Sequence, residues 1–221
     1  MPQAFIFDVD GTLVDSVDLH ARAWQRTLAE WGHEIEFSAI RNQIGKGGDQ
    51  LMPVFLSPQE VERNGKTIEA ARGALFKREY LEQVKPFPEV AALFRRLLER
   101  GQGVALGSSG KPEELEHYKR LAGIEELDLL QTTSADASRS KPHPDIFEAA
   151  LKKLKLPGAA VVAVGDSPYD AMAARKAGIT PVGVLCGGFA AAQLTEAGCV
   201  TLYQDPAEML RLVDQPPLMR G

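Results

Sequence analysis

Short apolar runs separated by amphipathic stretches dominate the hydrophobic pattern of the chain. The runs end at turn-forming or polar residues, which is typical of strands that are buried on both faces. Between them, apolar residues recur at helical spacing, and several of these stretches begin at a proline. The predicted strands are residues 4–7, 103–107, 127–131, 159–164 and 180–185, and the predicted helices are residues 89–100, 112–122, 144–155 and 168–177.

This alternation of strands and helices predicts an α/β fold. Right-handed crossovers would make the sheet mostly parallel, with helices on both of its faces. Ligands of such sheets bind beyond the carboxyl ends of the strands. The residues that follow each predicted strand are therefore the first candidates for a functional site.

The segment from residue 16 to residue 85 breaks the alternation, because its spacing is helical throughout. A long polar helix is predicted over residues 58–82, weakened near Gly65. We therefore predict two domains, a catalytic core of residues 1–15 and 86–221 and an inserted helical cap of residues 16–85. A cap that leaves the sheet beside the end of the first strand would cover the site as a lid.

Composition and charge narrow the class of protein. The chain has 221 residues, of which 44% are hydrophobic, so it can bury a full core. Its 25 Lys and Arg against 30 Asp and Glu give a net charge of −5, which argues against nucleic acid or an anionic membrane as the main partner. Two isolated cysteines, Cys186 and Cys199, fit a reducing compartment. Without a signal-peptide pattern or a membrane-length apolar run, the expectation is a cytoplasmic protein, monomeric by default, with a dimer left open.

The strongest candidate chemistry follows the first predicted strand, in the sequence DVDGT at residues 8–12. Asp8 and Asp10 leave the chain on the same side, and like charges this close are costly without a cation. One carboxylate can hold magnesium and act as a nucleophile while the other transfers protons. An acidic turn is the structural alternative. A calcium loop is disfavoured, because its twelfth position, counted from Asp8, is Leu19 instead of glutamate.

A second acidic pair follows the fourth predicted strand, in the sequence GDSPYD at residues 165–170. Asp166 and Asp170 would reach the same edge of the sheet as the first pair. Magnesium takes a few carboxylates together with water and phosphate oxygens, and two acidic strand ends supply the protein's share. Helix capping is the structural alternative for this segment.

Two more segments carry residues that suit a phosphoryl group. Ser108 and Ser109 follow the second predicted strand, and Lys141 lies in the proline-flanked sequence SKPHP. A cation fixed beside a metal-held nucleophile offsets charge during phosphoryl transfer, and the prolines restrict the backbone that presents it. Neither signal is specific alone, because serine often caps turns and lysine is usually solvated.

In this order, the four segments resemble the motifs of the haloacid dehalogenase superfamily over nearly the whole chain, and the helical insert resembles its cap. The similarity is to the subgroup of phosphoglycolate phosphatases and beta-phosphoglucomutases. It implies a Rossmann-like, three-layer core with magnesium as the cofactor. It also implies hydrolysis of a small phosphorylated metabolite through an aspartyl-phosphate intermediate.

The resemblance assigns a role to each matched residue. Asp8 would be the nucleophile and Asp10 the general acid and base. Ser108 and Lys141 would bind the phosphate. Thr12 would help to hold the side chain of Asp10 and is also a candidate for substrate binding.

The same resemblance implies the ligands of magnesium. Asp8, Asp166 and the backbone carbonyl of Asp10 would bind the ion directly. Asp170 would support it through water.

The cap offers four candidates for substrate recognition, His20, Trp24, Lys46 and Asp49. A Gly-rich turn at residues 44–49 would let the backbone and short side chains approach the leaving group. The structural alternatives are that Trp24 belongs to the core of the cap and that Lys46 is solvated.

Other functions stay open to different degrees. The dehalogenases and phosphonate-cleaving relatives that the chain resembles lack the carboxylate of Asp10, which argues against both. A beta-phosphoglucomutase-like mutase is harder to separate, although the positions of its extra phosphate clamp hold Ile44 and Gly48 unless Lys46 substitutes. A phosphate- or metal-binding protein without turnover is the non-enzymatic alternative, and it has no evident use for a nucleophile beside a proton donor. Glycolate, sugars and nucleosides all stay open as leaving groups.

Overall fold

A computed structural model describes residues 1–214, and a parallel sheet lies at its centre. This sheet has six strands in the order β5-β4-β1-β6-β7-β8. β1 pairs in parallel with both β4 and β6, so the first strand of the chain is central. The predicted mostly parallel α/β fold is therefore confirmed. The strands are β1 (Ala4–Phe7), β2 (Val14–Asp15), β3 (Lys85–Pro86), β4 (Gly103–Gly107), β5 (Leu130–Thr132), β6 (Val161–Gly165), β7 (Thr180–Val184) and β8 (Leu202–Tyr203).

Helices cover both faces of the sheet, which makes the core three-layered. Phe5 and Phe7 of β1 point into a hydrophobic cluster with α5, α6 and α10 on one face, whereas Ala4 and Ile6 point into a second cluster with α7 and α8 on the other. Among the described helices, none is long and apolar enough to cross a membrane. The α-helices are α1 (Val17–Glu30), α2 (Phe37–Arg41), α3 (Gly48–Phe55), α4 (Pro58–Glu79), α5 (Val90–Glu99), α6 (Pro112–Leu121), α7 (Asp145–Leu154), α8 (Pro168–Lys176), α9 (Ala191–Ala197) and α10 (Pro206–Leu212).

Helices α1 to α4 pack around a hydrophobic cluster of their own, which includes Trp24, Leu28 and Ile68. The expected weakening of the long helix near Gly65 is wrong, because α4 continues through this residue. Gly65 is buried where α4 packs against Met52 of α3, and a Cβ there would lie 3.5 Å from Met52 Cε, an ordinary van der Waals contact.

A short antiparallel pair closes the base of this helical segment. Val14 in β2 pairs with Pro86 in β3, and Asp15 pairs with Lys85. Two-residue strands carry no periodicity, so the sequence pattern did not predict them. The pair coincides with the two predicted domain boundaries, and we propose that it is the hinge between the core and the cap of residues 16–85.

Two strands begin later than their apolar runs. β5 starts at Leu130 instead of residue 127, and β6 starts at Val161 instead of residue 159. Leu127 and Leu129 are apolar because they pack against the core ahead of the strand. The shift leaves the carboxyl ends of the strands at the same edge of the sheet.

Candidate active site

The carboxyl edge of the sheet brings together the acidic and basic residues that the sequence singled out. Asp8 follows β1, Ser108 follows β4, and Asp166 follows β6. Lys141 approaches them from the loop before α7. The four side chains are buried at this edge, although they come from distant parts of the chain.

Lys141 is the electrostatic centre of the group. Its Nζ pairs with Asp8 Oδ1, lies 2.7 Å from Asp170 Oδ1 and donates a 3.0 Å hydrogen bond to the carbonyl of Gly107. Burial would lower the pKa of Lys141, but the charges of Asp170 and Asp8 outweigh it, and the pKa is raised. The ammonium group therefore stays charged and fixed in position.

The carboxylates around Lys141 carry more negative charge than one lysine neutralises. Burial raises the pKa of Asp8 to about 7, with Asp170 and Asp10 adding to the rise and Lys141 opposing it. Burial, followed by the charges of Asp170 and Asp8, raises the pKa of Asp166 well above its ordinary value. Additional positive charge at this point would stabilise the ionised carboxylates.

The arrangement fits a magnesium ion. One oxygen each of Asp8, Asp166 and Asp170 lies within 4.8 Å of the others. Within residues 1–214, the buried Oδ2 of Asp166 has no hydrogen-bond partner. A Cβ on Gly11 or Gly187 would collide with the carboxylate of Asp166, so these glycines leave the space beside it free. Buried oxygens without protein partners are what a metal site requires.

We expect Mg²⁺ to raise the thermal midpoint of unfolding by about 5 to 10 °C at a concentration of about a hundred times its Kd. An ion held by the folded carboxylate cluster would have no comparable site in the unfolded chain. Differential scanning fluorimetry with and without EDTA measures the shift. Asp166→Asn should lose most of it, whereas Asp128→Asn, a matched change at an exposed position, should keep it. Equal shifts in wild type and Asp166→Asn would contradict the site.

Asp10 is held by the first helix of the cap. Its Oδ1 accepts hydrogen bonds from Ser16 Oγ at 2.6 Å and from His20 Nε2 at 2.9 Å. A guanidinium group only donates, so the 3.3 Å contact of Arg72 with His20 Nδ1 assigns the imidazole proton to Nε2. The His20 ring also stacks on Phe76, with centroids 3.9 Å apart. Burial would raise the pKa of Asp10, but His20 and Ser16 outweigh it, and the pKa is lowered.

Thr12 does not hold Asp10, which corrects the expectation from the resemblance. Its Oγ1 lies 3.4 Å from Asp8 Oδ2 and 3.4 Å from Asp166 Oδ1. The chain turns at Gly11, where φ is +80°, and this turn directs Thr12 away from Asp10 and towards the magnesium candidate. Thr12 is also fully buried and is not among the residues that line the cavity beside Asp8 and Asp10, so the structure does not place it for substrate binding.

The loop after β4 presents donors to the same edge. Ser108 Oγ accepts a 2.9 Å hydrogen bond from the backbone N–H of Gly110. No acceptor for the Ser108 hydroxyl lies within residues 1–214, so the hydroxyl can donate a hydrogen bond to an anionic oxygen. Ser109 lines the adjacent cavity.

The cavity lies between the sheet edge and the helical segment, and three of the four predicted cap residues line it, namely His20, Trp24 and Lys46. Trp24 also belongs to the hydrophobic cluster of that segment. The structure does not bring Asp49 to the cavity. Instead, Asp49 Oδ2 accepts a 3.1 Å hydrogen bond from the backbone N–H of Ser140.

Sequence reasoning missed several residues of the site. Ser16 binds Asp10, and Glu69, Arg72 and Glu114 line the cavity. A signal for two of them was present, because Glu69 and Arg72 share the face of α4 that carries the buried Phe76. Charged residues on the buried face of a helix indicate a polar cavity or an internal ion pair.

Comparisons with known proteins identify the family. The family model described as haloacid dehalogenase-like hydrolase matches residues 2–178. The phosphoglycolate phosphatase of Rhodospirillum rubrum is 29% identical over 95% of this chain and 90% of its own. The phosphorylated carbohydrates phosphatase of Thermotoga maritima is 26% identical over 96% and 99%. A hydrolase from Pseudomonas syringae superposes with a TM-score of 0.90 at 27% identity, covering 97% of this chain and 99% of that one. The chain belongs to the haloacid dehalogenase-like hydrolases.

Proposed function

We propose that the chain is a magnesium-dependent phosphatase of small phosphate monoesters, with Asp8 as the nucleophile. The observation that carries the proposal is the placement of two carboxylates with different partners. Both line the cavity, but Asp8 is paired with the buried Lys141, whereas Asp10 is held by Ser16 and His20. Similarity to relatives that are named as phosphatases supports the same reaction.

In the first step, a carboxylate oxygen of Asp8 attacks phosphorus, and the bond from phosphorus to the leaving oxygen breaks. Asp10, in its acid form, donates its proton to that oxygen as the alcohol departs. Lys141 and the hydroxyl of Ser108 bind the oxygens of the transferring group and offset their charge. The product on the protein is an aspartyl-phosphate at Asp8.

In the second step, Asp10 takes a proton from water, and the water oxygen attacks phosphorus. The bond between phosphorus and the oxygen of Asp8 breaks, which returns the Asp8 carboxylate, inorganic phosphate and the acid form of Asp10. Ser16 and His20 stabilise the ionised Asp10 between the two steps. Asp8 and Asp166 would hold magnesium, with Asp170 supporting it through water, and the ion would withdraw charge from the phosphate oxygens.

Release of inorganic phosphate from p-nitrophenyl phosphate tests the proposal. Purified protein should turn the ester over with Mg²⁺ and lose about a hundredfold or more of that activity in EDTA, because the carboxylate cluster would again repel the anionic ester. Addition of excess Mg²⁺ should restore the rate. A protein that binds phosphate without turnover would release none under either condition, and this result would end the proposal.

A phosphomutase activity stays the alternative to hydrolysis. Lys46 Nζ donates a 2.6 Å hydrogen bond to Gln43 Oε1 and lies 4.8 Å from the centroid of the Tyr169 ring, while Gly48 offers no side chain. These contacts favour hydrolysis over a second phosphate clamp at this turn. Conversion of one hexose phosphate isomer into another, dependent on a hexose bisphosphate activator, would favour the mutase instead.

A further inference from the structure

Besides Asp8, Asp10 and His20, the lining of the cavity carries two cations and two carboxylates. These residues, Lys46, Glu69, Arg72 and Glu114, are called the polar wall. Its formal charges cancel. The wall therefore offers both hydrogen-bond donors and acceptors to a leaving group without favouring either sign of charge.

The carboxylates of the polar wall have no partner within the described part of the chain. Neither Glu69 nor Glu114 makes a side-chain hydrogen bond or an ion pair there, although only 8% of Glu114 is exposed. Nε of Arg72 is buried without a partner in residues 1–214. Because both carboxylates line the cavity and are not engaged by the described protein, they can accept hydrogen bonds from a ligand there.

Two glycines leave room beside these carboxylates. A Cβ on Gly48 would lie 2.8 Å from Glu69 Oε1 and 3.3 Å from Trp24 Cζ2. A Cβ on Gly110 would lie 3.4 Å from Glu114 Oε2 and 3.9 Å from Asp10 Oδ2. Glu114 Oε2 and Asp10 Oδ2 therefore both lie beside Gly110, and Glu69 Oε1 lies beside Gly48 near the indole of Trp24.

We infer that the leaving group is an uncharged polyol or sugar. Its hydroxyls donate hydrogen bonds to the carboxylates of Glu69 and Glu114 and accept a hydrogen bond from the guanidinium of Arg72. The inference rests on the proposed phosphatase function and narrows its substrate class. Ionised carboxylates only accept and a guanidinium only donates, whereas a hydroxyl does both. A carboxylic acid as leaving group would add negative charge beside Asp10 and Glu114. A plain alkyl group would leave the wall unsatisfied.

Matched pairs of esters test the substrate class. Glycerol phosphate is compared with propyl phosphate, sorbitol phosphate with hexyl phosphate, and both hydroxylated esters with phosphoglycolate. We expect kcat/KM to favour the hydroxylated member of at least one pair by about 10- to 100-fold, as hydrogen bonds to charged groups allow. Equal values within both pairs, or a preference for phosphoglycolate, would overturn the inference. Turnover of p-nitrophenyl phosphate separates these outcomes from a failure of the proposed function. If the chain is not a phosphatase, p-nitrophenyl phosphate and the matched esters should all remain unhydrolysed.

Two variants test the polar wall itself. Glu114→Gln and Glu69→Gln should each lower the ratio of kcat/KM for the preferred hydroxylated ester to that for its alkyl partner by about 10-fold, because a neutral acceptor binds a hydroxyl less strongly. Glu113→Gln is the matched control, since the Glu113 side chain is 82% exposed and pairs with Lys77, and its ratio should not change. Circular dichroism verifies folding, and either variant suffices if the other does not fold. An unchanged ratio in the folded variants would overturn the assignment.

Discussion

Replacing Asp8 with asparagine is expected to lower kcat for p-nitrophenyl phosphate by at least about 10⁴-fold. An amide oxygen in place of the carboxylate leaves no anionic nucleophile beside Lys141. Steady-state release of nitrophenolate with saturating Mg²⁺ measures the loss. The exposed Asp128→Asn variant should retain wild-type turnover, and an Asp8→Asn rate within about 10-fold of wild type would remove Asp8 from its role.

Loss of fold does not explain this expected effect. The folded-state pKa of Asp8 is raised to about 7, so ionisation of Asp8 destabilises the folded protein as the pH rises through that value. Asparagine resembles the protonated form and leaves Lys141 paired with Asp170. In EDTA, at a pH above this pKa, the variant should therefore unfold at a temperature no lower than wild type. A lower midpoint would point to a structural cause.

Asp10→Asn is expected to slow turnover by about 10²- to 10⁴-fold and to change which step limits the rate. The leaving phenolate of p-nitrophenyl phosphate needs little protonation, so the first step should proceed without the acid. The second step still lacks its base. Rapid mixing should therefore show a burst of nitrophenolate followed by slow turnover.

An alkyl phosphate supplies the contrast for this variant. Its alkoxide leaves poorly without a proton, so Asp10→Asn should show no burst with propyl phosphate and should lose more of its rate in the first step. Ser16→Ala should lower the rate less than Asp10→Asn does, because it removes one hydrogen bond to Asp10 and leaves His20 in place. Absence of a burst with both esters, together with equal losses of rate, would contradict the role of Asp10 as an acid.

The sequence alone was sufficient to predict the parallel sheet and the acidic residues at its carboxyl edge. Asp8 and Asp166 each follow a short apolar run, and parallel strands carry their carboxyl ends to one edge, so local pattern determines which side chains meet there. The observed boundaries of β5 and β6 differ from the predicted ones, but the strands still end at that edge. Prediction was reliable where a local pattern and a topological rule act together.

Contacts of the cap were less predictable, because they depend on how helices pack against one another. The sequence predicts Asp49 at the substrate, but Asp49 accepts a hydrogen bond from the backbone of Ser140. Arg72 and Glu69 line the cavity from α4, a helix whose composition is polar. The expected partner of Asp10 was Thr12, but the turn at Gly11 gives that position to Ser16. No periodicity encodes such distances between helices and loops.

The proposed mechanism requires phosphorus to become bonded to Asp8 during turnover. Acid quenching of Asp10→Asn during its burst with p-nitrophenyl phosphate, followed by peptide mapping by mass spectrometry, tests this requirement. We predict that the peptide containing Asp8 gains the mass of one phosphoryl group, that the group maps to Asp8, and that hydroxylamine removes it. Phosphate release in wild type with no such modified peptide in the quenched variant, or a phosphoryl group on another residue, would show that Asp8 is not the nucleophile.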